Sequence, residues 1–196
     1  MGGNGAVGRW SDVMTVTTTA GPENVFAGMA ESVPWPAGSP LRWVGKDDGT
    51  YRTVRGRQGM VVRAATNQLG YFEARVAASG AGLHVLIGLT MQDVPQGSYL
   101  GGAAQSVGWD CSDGQFRSSV PGCPGERGFP TCNDGDTVGL MVDCHAQPVL
   151  RFYVNGVEGR TKAFAGAEGV WYPAFSAVDG GFTATDRPAV PALAQP

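Results

Sequence analysis

From Leu41 onward the chain is a succession of short apolar stretches separated by Gly, Asp or Asn. This spacing predicts antiparallel β structure, because strands are short and their turns need residues that tolerate unusual backbone angles. No stretch shows the 3.6-residue period of an amphipathic helix. The predicted strands cover residues 41–44, 51–54, 60–64, 70–77, 83–90, 107–109, 137–144, 149–154 and 172–178.

Two of these stretches alternate clearly between apolar and polar positions. In residues 70–77 the apolar face begins at Phe72, and we expect the opposite face, which begins at Tyr71, to meet water. In residues 137–144 the same alternation places Cys144 among core side chains, where its thiol is expected to be inert. The sheet is therefore predicted to be buried on one side only.

Short turns without helical crossovers predict two packed antiparallel sheets. Asp47-Asp48-Gly49 and Asn155-Gly156 are the clearest hairpin turns. The expected fold class is all-β, an antiparallel β-sandwich formed by residues 41–185. Residues 1–40 are expected to form an irregular lead-in anchored by Trp10 and Trp35, and residues 186–196 a disordered Ala/Pro tail.

Composition narrows the classes of function. The formal net charge of −3 offers no general attraction to a phosphate backbone, so nucleic-acid binding is not expected. The chain lacks an apolar run long enough to span a membrane and a signal-peptide pattern, which predicts an intracellular protein, cytoplasmic or nuclear. No cofactor motif is present.

The four cysteines lack the close pairs typical of zinc sites. We interpret Cys111, Cys123, Cys132 and Cys144 as reduced thiols; two disulfides remain the alternative for a secreted protein, and zinc is a third. The histidines, His84 and His145, have no nucleophile motif beside them and are interpreted as structural. With Glu73 the only carboxylate on its predicted strand, we expect no enzyme.

Four motifs in a fixed order carry a family resemblance. They are Tyr71-Phe72-Glu73, Trp109-Asp110, Gly135-Asp136-Thr137-Val138-Gly139 and Phe152-Tyr153-Val154-Asn155-Gly156. With these motifs the chain resembles the SPRY domain family over roughly residues 41–182. The resemblance implies a bent, jelly-roll-like β-sandwich that is not catalytic and whose loops bind other proteins.

A finer likeness is to the SPRY subunit of trithorax-type histone methyltransferase complexes. It rests on the run from Met60 to Ala65, on Ile87-Gly88-Leu89 and on Gly108-Trp109. The resemblance implies that Arg63 contributes to a basic pocket for an acidic peptide, although Leu86 stands where the family has a second basic residue. At Gly180-Gly181-Phe182-Thr183 the chain departs from the family, so the last strand is expected to be altered or shorter.

Two regions supply candidate binding residues. The loops at 92–102 and 110–133 are long and rich in Gly, Ser and Pro, as binding loops often are. The candidates are Tyr99, Asp113, Phe116 and Arg117 from these loops, and Arg52 and Arg63 from an arginine-rich stretch. For that stretch, which also holds Arg55 and Arg57, the competing interpretation is a charged strand edge that discourages aggregation.

The sequence thus predicts a protein-interaction module, acting as an adaptor or a subunit of a larger assembly. Its partner would be a protein or peptide, with an acidic peptide as one candidate. The alternative is a lectin-like sandwich that binds glycans on aromatic platforms, which Trp109 beside Asp110, or Trp171, would have to supply. Against that alternative, Trp109 is expected in the core and Trp171 is expected to close the sandwich.

Overall fold

The computed structural model describes residues 50–56, 59–66, 69–78, 84–95, 97–178 and 180–184, together with the backbone of 42–44. These residues form thirteen strands and no helix. No helix in the described ranges is long and apolar enough to cross a bilayer. The strands are β1 (Arg42–Val44), β2 (Arg52–Arg55), β3 (Met60–Val62), β4 (Leu69–Ala78), β5 (His84–Thr90), β6 (Ser106–Asp110), β7 (Gln115–Ser118), β8 (Glu126–Arg127), β9 (Thr137–Asp143), β10 (Val149–Val154), β11 (Val157–Ala163), β12 (Gly169–Val178) and β13 (Gly180–Ala184).

The strands form two antiparallel sheets, which confirms the predicted sandwich. The first sheet has the order β1-β13-β4-β9-β10-β11, and the second has the order β2-β12-β5-β6-β7-β8. Strand β3 also belongs to the second sheet. It pairs with the first residues of β12, whereas β2 pairs with residues nearer the end of that strand. The arginine-rich stretch therefore lies at an edge of the second sheet.

The core between the sheets is rich in aromatic side chains. Phe152 of the first sheet meets Trp109 and Phe129 edge to face, with ring centroids 5.4 and 5.0 Å apart. Trp171 is buried and packs on Phe164, with centroids 4.9 Å apart. Full burial of one such side chain stabilises the fold by about 1.5–3 kcal/mol. The predicted positions of Trp109 in the core and Trp171 at the closure are both confirmed.

The alternation predicted for β4 is only half right. Phe72 and Val76 are buried in the core as expected. Tyr71, however, is 1% exposed rather than wet. Its ring lies on the outer face of the first sheet in a separate apolar cluster with Met141 and Tyr153. A rule that assigns each strand face either to the core or to water fails here, because the outer face of this sheet has apolar packing of its own.

Four strands, β7, β8, β11 and β13, lie outside the nine predicted ranges, although an altered last strand is expected at the position of β13. Strand β11 is mostly exposed and polar, so it lacks the apolar pattern by which strands are recognised. The hairpin before it confirms the predicted turn, because Asn155 and Gly156 have φ angles of 52° and 77°. Strand β13 is five residues long and pairs with both β4 and β1, so it is not cut short. The lead-in, the tail and the turn at Asp47-Asp48-Gly49 lie outside the described residues.

The cysteine prediction is wrong for two of the four thiols. Cys111 and Cys132 form a disulfide, with Cα atoms 5.3 Å apart, whereas Cys123 and Cys144 are free and buried. Burial raises the pKa of both free thiols. The predicted place of Cys144 in the core is confirmed. Spacing along the chain could not reveal the bond, because the pairing of β6, β7 and β8 is what brings its two partners together.

Candidate interaction site

One end of the second sheet gathers most of the chemically distinctive side chains. Tyr51 lies just before β2, His84 opens β5 and Asp110 ends β6. The register places these positions side by side, since Leu86 of β5 faces Asp110. We call the group at this end the aromatic–ionic cluster; its members are Tyr51, His84, Tyr99, Asp110, Ser112, Asp113 and Arg117.

The loop between β5 and β6 reaches this cluster because it folds back onto the sheet. Leu100 is fully buried on the outer face, where Gly108 leaves room for it: a Cβ on that glycine would lie 2.6 Å from the Leu100 Cβ. The Leu100 N–H donates to the buried Ser176 hydroxyl at 3.1 Å, and that hydroxyl lies 2.6 Å from the Thr53 hydroxyl. This anchor fixes Tyr99, the preceding residue.

The aromatic part of the cluster is a tyrosine pair that is partly exposed. The rings of Tyr51 and Tyr99 have centroids 4.8 Å apart and are tilted by 42°. The Arg117 guanidinium lies 5.6 Å from the Tyr99 centroid, within the range of a cation–π contact. Burial, with the Asp110 charge adding to it, raises the pKa of Tyr51 to about 12. Its hydroxyl therefore stays protonated and can donate a hydrogen bond.

The ionic part is organised around a buried carboxylate. Asp110 is 0% exposed and accepts hydrogen bonds from the Ser112 N–H and from Arg117 Nη2, both at 3.2 Å. His84 Nδ1 lies 3.3 Å from the same carboxylate. Arg117 also donates to Asp113 at 3.0 Å. A buried charge needs such partners, so Asp110 fixes the positions of the side chains around it.

The arrangement of Ser112, His84 and Asp110 does not fit nucleophilic catalysis. The Ser112 hydroxyl and the Asp110 carboxylate both lie 3.3 Å from the same ring nitrogen of His84, Nδ1. A catalytic triad needs the two ring nitrogens to serve different partners. The Ser112 hydroxyl instead makes a short hydrogen bond to Asp110. The three residues form a polar support rather than a nucleophile with its base.

Of the four predicted site residues from the long loops, three come together in this cluster and one does not. Tyr99, Asp113 and Arg117 are partly or largely exposed and in mutual contact through Arg117. Phe116 is 0% exposed and stacks on Phe129 in the core, so its prediction as a partner-binding residue is wrong. The alternation of β7 separates the two neighbours, because Phe116 faces inward and Arg117 outward.

The two predicted arginines lie elsewhere. Arg52 pairs in register with Ala177 and shares the inner face with Val54, away from the cluster. Arg63 is exposed and follows Val62, which pairs with Gly169 at the opposite end of β12. His84 pairs with Val178 at the other end of this ten-residue strand, so the two surfaces are separated by up to about 30 Å. Arg63 and the cluster are therefore separate surfaces.

The surface near Arg63 has chemistry of its own. Val61 and Val170, which face each other across β3 and β12, are 47% and 42% exposed. Further along, the Arg55 guanidinium lies 4.3 Å from the Tyr172 ring centroid and forms an ion pair with Asp93 at 2.7 Å. Arg55 thus has an internal partner, as a strand-edge arginine does.

Sequence reasoning missed Tyr51, His84 and Asp110 as members of one site. The sequence places Tyr51 only in a strand, gives His84 only a structural role, and singles out Asp110 only as a neighbour of Trp109. Each signal is weak by itself, because a single polar residue beside a strand is common. Only the strand register, which brings residues from β5 and β6 together, reveals the group.

The outer face of the first sheet holds a second group, which we call the first-sheet network. Its members are Tyr71, Glu73, Met141, Asp143, His145, Arg151, Tyr153 and Glu158. The rings of Tyr71 and Tyr153 meet edge to face with centroids 5.7 Å apart, and both are buried. Arg151 bridges Asp143 at 3.1 Å and Glu158 at 3.4 Å. Burial raises the pKa of Tyr153 to about 12, helped by the Glu158 charge.

Comparison with known proteins defines the class. The SPRY domain model matches residues 70–185, more than half of the chain, so the chain belongs to the SPRY domain family. A solved human SPRY domain is 18% identical, with 74% of this chain and 89% of that chain covered and a TM-score of 0.58. The SPRY domain of human HERC1 is 12% identical, with 72% and 86% covered and a TM-score of 0.55. No curated protein matches the chain. SPRY domains generally mediate protein–protein interactions and are generally non-catalytic.

Proposed function

We propose that this SPRY domain is a non-catalytic interaction module that binds a peptide or partner protein at the aromatic–ionic cluster. It would serve as an adaptor or as a subunit of a larger assembly. One observation carries the proposal: loops from separate parts of the chain converge at one end of the second sheet and place partly exposed tyrosines beside an ordered arginine and carboxylate. Tyrosine and arginine are the residue types that most often dominate binding energy at interfaces.

The cluster is suited to binding because its side chains are ordered before a partner arrives. Arg117 is held by two carboxylates, and Tyr99 follows the buried anchor Leu100. Side chains that are already ordered lose less conformational entropy on association. The exposed edges of Tyr51 and Tyr99 then offer apolar area, and their hydroxyls offer hydrogen bonds.

Arg63 supports a second, separable contact. The likeness to the trithorax-type SPRY subunit suggests that this exposed arginine takes an acidic side chain of a partner. Because up to about 30 Å separates it from the cluster, a single extended peptide would need up to about nine residues to reach both. We therefore expect each surface to contribute to binding independently, with additive losses when both are altered.

The experiment is affinity purification from native cells with mass spectrometry, followed by titration of the recombinant partner against purified variants. Tyr99→Ala is expected to weaken binding by tenfold or more, since a central tyrosine contributes about 1.4 kcal/mol or more. Arg63→Ala reports on the second contact. Arg75→Ala is the matched control, because Arg75 is an exposed arginine on the first sheet.

Unchanged affinity for both Tyr99→Ala and Arg63→Ala would remove the proposed surfaces. A loss equal to that of Arg75→Ala would show a general charge effect rather than a defined site. Size measured in native extract distinguishes an assembly subunit from a free adaptor. The glycan-binding alternative gains no support, because Trp109 and Trp171, the platforms it requires, are 0% and 1% exposed.

A further inference from the structure

The disulfide lies directly beside the proposed binding site. Cys111 follows Asp110, the buried centre of the aromatic–ionic cluster, and its partner Cys132 lies 21 residues later. The segment that the bond encloses contains Asp113 and Arg117, two of the exposed cluster residues. A cross-link at this place holds both ends of the segment that carries three of the seven cluster residues.

The far end of this segment packs on the turn that holds Asp113. The Phe129 N–H donates to the Gly114 carbonyl at 3.0 Å, and a Cβ on Gly114 would lie 2.5 Å from the Phe129 carbonyl oxygen. Gly114 itself has a φ of 66° and donates its N–H to the Asp110 carbonyl at 3.0 Å. The order of residues 112–114 therefore depends on residues 129–132 staying in place.

Phe129 is held by ring contacts with Phe116 and Phe152, but beyond it two hydrogen bonds and the disulfide keep the end of that segment against β6. The Cys132 N–H donates to the Cys111 carbonyl at 2.7 Å, and Trp109 Nε1 donates to the Pro130 carbonyl at 2.9 Å. Strand β8, which precedes it, pairs with β7 over only two residues. The neighbours of Cys132 in the chain, Thr131 and Asn133, are partly or fully exposed, so a small local opening brings its sulfur to solvent.

We propose that the Cys111–Cys132 disulfide is a redox latch: reduction loosens residues 128–132 and, through Gly114, the turn that positions Asp113 and Arg117. The consequence for partner binding rests on the proposed function; the structural change does not.

The reductant is a dithiol. One thiolate attacks the Cys132 sulfur, the S–S bond breaks, and Cys111 leaves as a thiolate that takes a proton. The second thiol of the reductant attacks the mixed disulfide and releases Cys132 as a thiol. Two electrons and two protons pass to the protein, and the reductant becomes a disulfide.

The test is hydrogen exchange of the full chain with and without dithiothreitol, beside counts of thiols alkylated after denaturation, since Cys123 and Cys144 are buried. The number of alkylated cysteines is expected to rise from the two free ones to all four. Reduction should speed exchange in residues 112–118 and 126–133 by about tenfold, while β9 and β10 stay unchanged. The double variant C111A/C132A should exchange fast without reductant and respond no further. C123A, which removes a free buried cysteine in the same loop, should behave like the wild type.

Four alkylated thiols before any reductant is added would overturn the latch, since no bond would exist to be broken. Unchanged exchange after confirmed reduction would overturn it as well. Because the exchange readout involves no partner, these outcomes are independent of the binding titrations. If exchange responds but the Tyr99→Ala and Arg63→Ala variants bind normally, the latch stands and the proposed binding surfaces fail.

Discussion

The aromatic–ionic cluster and the first-sheet network are built from nearly the same chemistry. Each has a tyrosine pair and an arginine that bridges two carboxylates. Each also has a histidine beside one of those carboxylates. In each, the arginine Nε is buried without a hydrogen-bond partner among the described residues. Counted by residue type alone, the two groups would be equally good candidates for a binding site.

They differ in where the backbone places the tyrosines. In the first-sheet network, Tyr71 and Tyr153 stand on the regular strands β4 and β10 and are 1% exposed. In the aromatic–ionic cluster, Tyr51 precedes a strand and Tyr99 lies in a loop, and both remain partly exposed. The same residue types thus stabilise one face of the sandwich and are accessible to a partner on the other. Position and exposure, rather than composition, separate packing from recognition.

Replacing one tyrosine of each pair should give the largest contrast. Tyr71→Ala removes a fully buried ring and is expected to lower the free energy of unfolding by about 3–5 kcal/mol. Tyr99→Ala removes a partly exposed ring and should cost about 1 kcal/mol, with its main effect on binding. Urea unfolding of both variants measures the difference. Equal losses would show that the two groups are alike in their packing.

The bridging carboxylates sharpen the same contrast. Asp110→Ala leaves Arg117 partly buried without one of its partners and should cost about 3–4 kcal/mol, since breaking a buried ion pair is strongly destabilising. Asp143→Ala should cost about 1–2 kcal/mol, because Asp143 and His145 are more exposed to water. Thermal unfolding followed by circular dichroism compares them. A larger loss for Asp143→Ala would contradict the expectation that the more deeply buried Asp110 contributes more to stability.

A cross-link distinguishes the two groups as well, since the disulfide adjoins only the cluster. For a loop with a separation of 21 residues, its removal in C111A/C132A should lower the free energy of unfolding by about 3 kcal/mol. The control C123A changes a buried cysteine without altering a bond and should cost less, about 1 kcal/mol. Urea unfolding under oxidising conditions gives both values. No difference between them would mean that the bond does not stabilise the fold.

The smallest effect is a dependence on pH that belongs to the first-sheet network. Burial alone would raise the pKa of Asp143, but hydrogen bonds from His145 and Arg151 hold it below its usual range. The stabilisation is therefore present above about pH 4 and is lost as the pH falls through the folded-state pKa. Burial raises the pKa of Glu73, whose contribution has the opposite sign and declines as the pH rises.

Melting temperatures between pH 3 and pH 7 test this dependence, with Asp143→Asn as the informative variant. It should lose less stability than the wild type on acidification, because its amide does not titrate. An identical acid slope in both proteins would assign the dependence to other carboxylates. Glu73→Gln is the matched control, since its effect should run in the other direction.

Much of the fold could be predicted because its strands have one apolar face. Phe72, Val138 and Val142 show the alternation that a half-buried strand requires, and all three lie in the core. Strand β11 could not be found this way, since its pairing with β10 comes from the Asn155-Gly156 turn rather than from apolar side chains. Its residues are polar because the strand is exposed, and this polarity prevents its recognition from the apolar pattern of the sequence.

The candidate site was predicted only in part. Loop composition pointed to Tyr99, Asp113 and Arg117, but it gave no reason to exclude Phe116, whose inward direction follows from β7 being a strand. The disulfide and the role of Asp110 depend on contacts between residues far apart in sequence. Such contacts follow from the register of the sheets, which a single sequence does not specify.

Glu126, at the end of the second sheet, also has a consequence for assembly. Its carboxylate binds both Arg160 and Lys162 of β11, so it ties the border of one layer to the border of the other. The Arg160 guanidinium lies over the Phe129 ring, 4.6 Å from its centroid, and seals this flank. Another chain that pairs with the edge strand of either sheet at this side, as in fibril growth, would have to disrupt these ion pairs. Edge-to-edge association is therefore less hindered at the opposite edge of the second sheet, where the arginines of β2 disfavour it.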